Sequence, residues 1–320
     1  MGDAARGHTC HVRIVQHGFV IAGAATHNLL DHFSLPPKAG NAMFKTTLPL
    51  LMSLLFASCA GGFPAQAETS SGVTQPAPPS RATMDPYTVN KLNAVVDQAS
   101  NHRGLSPGHL IDAISAEFLG TPYRDHVLQG SATTPEKLII DFTGLDCLTY
   151  LDYVEAARKA YSQQDFVNHL VLTRYVEGVV SFTHRKHFFT DWANRPYELA
   201  TDITAVVSPN AVSVTKTLNR KADGSNYLPG LPVVDRTITY IPTERVDSTV
   251  VSRLRTGDYI GIYTPLAGLD VTHVGFFIMT DKGPMLRNAS SRKENMKVVD
   301  SPFMEYVART PGIIVYRAKK

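Results

Sequence analysis

The chain has 320 residues, 43% hydrophobic and 18% charged, with a formal net charge of +3. Those values fit a globular protein of one large or two ordinary domains and give no electrostatic case for nucleic-acid binding. The first 67 residues hold four Lys/Arg and two Asp/Glu, so the remainder carries 27 basic against 26 acidic side chains, or +1. The sequence has no Gly-rich phosphate loop, no basic tract interleaved with aromatics and no internal repeat.

The amino terminus reads as an address. Met43-Phe44-Lys45 opens a short basic region, Leu48 to Ala60 form an apolar core, and Ala65-Gln66-Ala67 has the small-x-small form that signal peptidase cuts. Residues 1–42, with five histidines and no pattern, read as an upstream extension, and 43–67 as a secretory signal peptide. A competing reading takes "LLFASC" as a lipobox that lipidates Cys59, although Phe56 is uncommon at its position; cleavage after Ala67 is preferred. The expected location is periplasmic or otherwise extracytoplasmic, with membrane attachment, as an outer-membrane lipoprotein, only if Cys59 is lipidated. The apolar run is too short for a membrane-spanning helix. Residues 68–83, rich in Ser, Thr, Pro and Ala, read as a flexible linker, and 84–320 as the folded domain.

Within that domain Asp85-Pro86 is a helix start, with Val89, Leu92, Val95 and Val96 on one face. Ser106-Pro107 repeats the signature, and Gly120 is expected to end the second helix. A third helix begins at Cys147 and buries Leu148, Leu151, Val154 and Ala157 through about residue 162; a fourth covers Asp165 to Thr173. The pattern then turns to β in "AVVSP", "AVSVTKTL", "RTITYIP", "DYIGIYT", "THVGFFIMT", "PMLRNAS" and "GIIVYRA". Helices first and strands later predict an α+β domain with helices against a mostly antiparallel sheet. The Gly, Asn and Pro content of 196–240 permits a lid, though plain surface hairpins are the usual outcome.

Removing the signal leaves Cys147 alone. An unpaired thiol in an oxidising compartment is a liability, so either it is a small buried hydrophobe or it is a nucleophile; the compartment favours the nucleophile. A helix amino terminus lowers a thiol pKa, and a histidine base held by a third polar group completes such sites. Of the seven histidines past the signal, His273 in "DVTHVGFF" is the best base, against a bland role as a strand residue bonded to a carbonyl. Asn288 lies fifteen residues on, a spacing that lets a tight hairpin place it beside His273 and orient the ring. His184 and His187 would share a helical face, but no HExxH-like pair or third acidic ligand accompanies them, so no metal is expected. A surface loop containing Arg185 and Lys186 is the ordinary reading; it could also grip a carboxylate.

Five segments in order, "EFLGTPY", "LDCLTYLDYVEA", "RYVEG…SFTHRKHFFTDW", "LRTGDYIGIYTPLAGLDVTHVGF" and "LRNASS", resemble the N-acetylmuramoyl-L-alanine amidase-like family. That family, long a domain of unknown function, falls within the NlpC-type papain-like cysteine hydrolases, and the resemblance spans Met84 to Lys320. It implies a circularly permuted papain-like fold with Cys147 as nucleophile, His273 as base and then acid, and Asn288 as orienting residue. Asn288 stands where the family often has histidine, and "DCLTY" replaces the more usual "DCVTF". Tyr123 matches the tyrosine of "GTPY", with an implied part in an oxyanion hole or pocket. Arg174, Tyr175, Arg185, His187, Asp191 and Trp192 match the substrate-recognition segment, although core packing is an equal reading for Tyr175 and Trp192. The implied partners are peptidoglycan fragments, cut between N-acetylmuramic acid and L-alanine, with no metal or other cofactor. Rival readings are a D-glutamyl-diaminopimelate endopeptidase, a non-catalytic wall-binding lipoprotein and an acyltransferase.

Overall fold

A computed structural model describes residues 84–320; the expected extension, signal peptide and linker lie outside the described residues. Asp85 accepts the Tyr87 and Thr88 amides and starts α1 (Pro86–Asn101), which buries Leu92, Val95, Val96 and Ala99. Ser106 caps α2 (Pro107–Ala116). That helix stops short of Gly120, which closes the turns beyond it at φ +84°. Two longer helices follow, α3 (Cys147–Lys159) and α4 (Gln163–Arg174), then the short α5 (Phe189–Asn194).

The remaining elements are β1 (Ala200–Asp202), α6 (Thr204–Val207), β2 (Val212–Leu218), β3 (Val234–Pro242), α7 (Ser248–Arg253), β4 (Asp258–Tyr263), β5 (Val271–Thr280), β6 (Gly283–Ser290), β7 (Lys297–Pro302), α8 (Phe303–Val307) and β8 (Gly312–Ala318). They form one sheet in the order β2-β3-β8-β4-β5-β6-β7, with β1 also paired to β8. Every pairing between these strands is antiparallel. The fold is therefore α+β, as the pattern predicts. "AVVSP" is the exception: its first residues form α6 instead of a strand, with the Thr204 amide bound to Asp202 Oδ1 (2.9 Å).

The sheet is covered on both faces, which alternation along the strands records. Tyr259, Val274, Phe276, Ile314 and Tyr316 join the core shared with α1 to α4. Ile260, Phe277, Leu286, Ile313 and Val315 join a second core with Val250 of α7 and Phe303 and Val307 of α8. Strands buried on both sides lose the apolar-polar alternation of half-exposed ones. Edge-to-face contacts then fix α3 against its neighbours: Tyr150 meets Phe118 at 5.7 Å and Phe276 at 5.2 Å. Each such pair adds roughly 0.5–1.5 kcal/mol beyond area burial.

Unexpectedly, α3 buries charges as well as its apolar stripe. Asp152 accepts Arg174 Nε (2.7 Å) and Trp192 Nε1 (3.0 Å), tying α3 to α4 and α5. Glu155 holds Arg158 through two bonds of 2.7 and 2.8 Å. Buried charges survive only when paired this way.

Candidate active site

Asp146 and Thr149 form a reciprocal cap at the head of α3. The Thr149 amide donates to Asp146 Oδ1 (2.8 Å), and the Asp146 amide donates to Thr149 Oγ1 (3.0 Å). This makes Cys147 the first helical residue, with its own amide and those of Leu148 and Val274 directed at the sulfur. These donors favour a thiolate. Burial outweighs them: the side chain is 2% exposed, and desolvation, followed by the charge of Asp146, pushes the thiol pKa up. The helix-terminus expectation of a lowered pKa is corrected here, because the dipole acts on a sulfur sealed among Leu148, Phe189 and Val271.

His273 comes to border the thiol's cavity at a strand irregularity. Ile262 pairs with His273 but Tyr263 pairs with Val271, so Thr272 is an extra residue that bends β5. Val271, Thr272, His273 and Val274 thereby all border one cavity of about 20 Å³ with Cys147, Leu148, His187 and Phe189. That volume admits about one water. Gly261 permits this wall, since a Cβ there would lie 2.7 Å from the Phe189 ring.

The imidazole is oriented from β6. His273 Nε2 lies 3.0 Å from Asn288 Oδ1, while Asn288 Nδ2 donates to Leu286 O (3.0 Å) and Ser301 Oγ (3.2 Å). With the amide nitrogen committed, Oδ1 must accept, so His273 carries its proton on Nε2 and keeps Nδ1 as the basic nitrogen. Burial lowers its pKa to about 4 despite the Asn288 bond. At neutral pH the ring is therefore uncharged and able to take a proton.

A second cavity of about 230 Å³ shares His187 with the first. Arg185, Lys186 and Asp191 line it, with Leu218, Leu231, Pro232 and Val234 from the β2–β3 hairpin region. The segment 196–240 thus supplies a wall here. The loop carrying Arg185, Lys186 and His187 is not a surface loop: all three are at most 4% exposed. Burial brings Lys186 to about 8, its ammonium donating to Leu172 O (3.0 Å), and brings His187 to about 3, with Nε2 bonded to Phe182 O (2.7 Å). His184 turns instead to Ser181 Oγ, 2.7 Å from its Nδ1. Among the described residues no group of three His, Cys, Asp or Glu is placed to hold a metal.

Of the residues expected to bind substrate, Arg185, His187 and Asp191 border this second cavity. Arg174, Tyr175 and Trp192 do not. Arg174 and Trp192 are spent on Asp152, and the Tyr175 hydroxyl donates to Glu136 Oε1 (2.9 Å), so they brace the wall from behind. Tyr123 is bridged to Leu145 and its amide donates to Met296 O (2.9 Å), which sets it beside the Cys147 turn. Asp270 was missed by sequence reasoning. Its carboxylate accepts the Thr190 amide (2.8 Å), the Thr190 hydroxyl (3.0 Å) and the Val271 amide (2.8 Å), locking α5 to the start of β5. Only its place three residues before His273 could have signalled this.

The model of the AmiA-like family, described as N-acetylmuramoyl-L-alanine amidase-like, matches residues 113–313, a span that includes Cys147, His273 and Asn288. The chain belongs to the AmiA-like family. Among solved structures it is similar to an N-acetylmuramoyl-L-alanine amidase from Bacteroides uniformis, with a TM-score of 0.55 and 26% identity over 67% of this chain and 99% of that one. It is also similar to a Legionella pneumophila protein of the DUF1460 family, with a TM-score of 0.62 and 23% identity over 72% and 95%. At that identity the second likeness is one of fold. No curated protein matches the chain.

Proposed function

We propose that this AmiA-like protein is a cysteine hydrolase of papain-like architecture that cuts the amide between N-acetylmuramic acid and L-alanine in muropeptides. The observation that carries the proposal is one cavity bordered by Cys147, the first residue of α3, and by His273, whose imidazole is held by Asn288. The bond is suggested by the family and by the Bacteroides uniformis relative's name.

The raised thiol pKa means that proton loss accompanies attack. As Sγ bonds to the lactyl carbonyl carbon, its proton passes to His273 Nδ1, and the amides at the head of α3 face the developing oxyanion. The imidazolium returns the proton to the L-alanine nitrogen, the C–N bond breaks and a thioester remains on Cys147. Water then attacks the thioester with His273 again as base, the C–S bond breaks, and the imidazolium returns its proton to the Cys147 sulfur as N-acetylmuramic acid departs. Every step uses side chains of this chain and needs no external electron carrier.

An extracytoplasmic site of action is part of the same reading, resting on the signal pattern at 43–67. Product mass tests the bond. The wild type releases the whole stem peptide from a muropeptide and Cys147→Ala does not; release of only the distal part would assign the glutamyl endopeptidase, and equal release by both proteins would remove Cys147 from the reaction.

A further inference from the structure

A cavity of about 260 Å³ adjoins the His273–Asn288 pair, its lining including Arg292, Asp300, Ser301, Glu305, Tyr306 and Arg309. Two of its walls already touch the catalytic geometry. Ser301 Oγ accepts the Asn288 amide, and the Tyr306 ring stacks on the His273 imidazole, centroids 6.1 Å apart and planes 22° from parallel. The Arg292 guanidinium lies over the Tyr306 ring, 4.1 Å from its centroid.

The charges here are not balanced internally. Asp300 is taken by Arg287 through two bonds of 2.7 and 3.0 Å. Neither Arg292 nor Arg309 has a carboxylate within 4.0 Å among the described residues, and exposed Glu305 is the one acid of the lining left to oppose them. Arg292 is near enough for its charge to bear on His273. A guanidinium laid flat on an aromatic ring loses rotational freedom and keeps its edge donors for a two-point bond to a carboxylate.

The reaction gives this cavity a side. The acid that protonates the departing amine must face it, so the peptide leaves on the imidazole's side of the thiol. In a muropeptide the first charge beyond the scissile nitrogen is the free α-carboxylate of the D-glutamyl residue. We propose that Arg292, seated on Tyr306 and sharing its cavity with Arg309, is the subsite for that carboxylate of the departing peptide; the proposal rests on the amidase reading.

Calorimetric binding of a released peptide tests this without turnover. The probes are L-alanyl-γ-D-glutamyl-L-lysine and the same tripeptide with D-isoglutamine, which differ only at the α-carboxylate, titrated into the wild type, Arg292→Gln, Arg292→Lys and Arg309→Gln. The wild type should bind the acid about tenfold or more tighter than the amide. Arg292→Gln should abolish that preference, Arg292→Lys should keep part of it, and exposed Arg309→Gln, with an unchanged melting temperature, should reduce it. Equal binding of acid and amide, no binding of the acid at millimolar concentration, or an intact preference in Arg292→Gln overturns the subsite. Failure of the amidase reading shows separately, in the mass of the product.

Discussion

Asn288 faces Gly275 across the β5–β6 pair, and a Cβ placed on that glycine would lie 3.0 Å from Asn288 Cβ and 2.7 Å from Arg287 O. The glycine of "HVG" thus makes room for the residue that holds His273. Gly275→Ala should cost about 1–3 kcal/mol as an overpacked site. It should also lower kcat by displacing Asn288. Denaturant midpoints and steady-state rates measure the two effects; an active, fully stable Gly275→Ala would show that Asn288 has freedom to move.

Asn288→Ala removes the acceptor for His273 Nε2 while leaving the thiol cavity's lining in place. General-base steps contribute on the order of 10²–10⁴ in rate. The expected result is a kcat loss near the lower end of that range with KM nearly unchanged. A change confined to KM would make Asn288 a binding residue.

Cys147→Ala and His273→Ala should each lower kcat by on the order of 10³ or more, and the double variant should be no worse than either single one, because in the proposed reaction the pair acts as a unit. Additive losses would separate their roles. In the free protein the buried thiol should react slowly with iodoacetamide near neutral pH and accelerate only in alkali, since its pKa is raised by burial and by Asp146. Fast labelling at pH 6 would indicate a thiolate already formed.

The histidines also set an acid limit to stability. His273 and His187 are held near 4 and 3 in the fold, against an ordinary value of 6.5, both chiefly by burial. As pH falls below about 6.5 the unfolded chain takes up protons that the folded one refuses, so stability falls with pH through that window. Above it the two groups contribute no slope. Buried Asp146 and Asp270, raised by burial, act in the opposite sense. The check is therefore a difference: His187→Phe should flatten the loss of denaturant midpoint between pH 6.5 and 4 relative to wild type, and parallel curves would refute the assignment.

Breaking the Asp152–Arg174 pair tests how α3 is tied to α4 and α5 behind the second cavity. Asp152→Ala leaves Arg174 Nε and Trp192 Nε1 without their acceptor, and loss of one partner of a buried pair costs about 3–5 kcal/mol. A loss below 1 kcal/mol would mean that the site relaxes around a water.

The sequence revealed some parts of this molecule far better than others. The caps at Asp85 and Ser106 and the apolar stripe of α3 are local signals, and the structure keeps them. His273 and Asn288 were legible because a hairpin is short-range: its register sets Asn288 opposite Gly275, diagonal to His273 and within hydrogen-bond reach. The burial of Cys147 was not, since the walls of its cavity come from α5 and the bend at Thr272, brought together only by folding. Asp152, Arg174 and Trp192 illustrate the same limit. Their types suit a binding surface equally well, and only tertiary contact turns them inward. The short α6, α7 and α8 escaped because four to six residues give too little periodicity to read.

A muramoyl thioester on Cys147 is the intermediate that the proposed reaction requires. Intact-protein mass spectrometry of the enzyme quenched in acid during turnover of a muramoyl tripeptide measures it directly. The expected result is an adduct with the mass of N-acetylmuramic acid less water, absent from Cys147→Ala. An adduct that also contains the alanyl and glutamyl residues, or one that persists in Cys147→Ala, would contradict it.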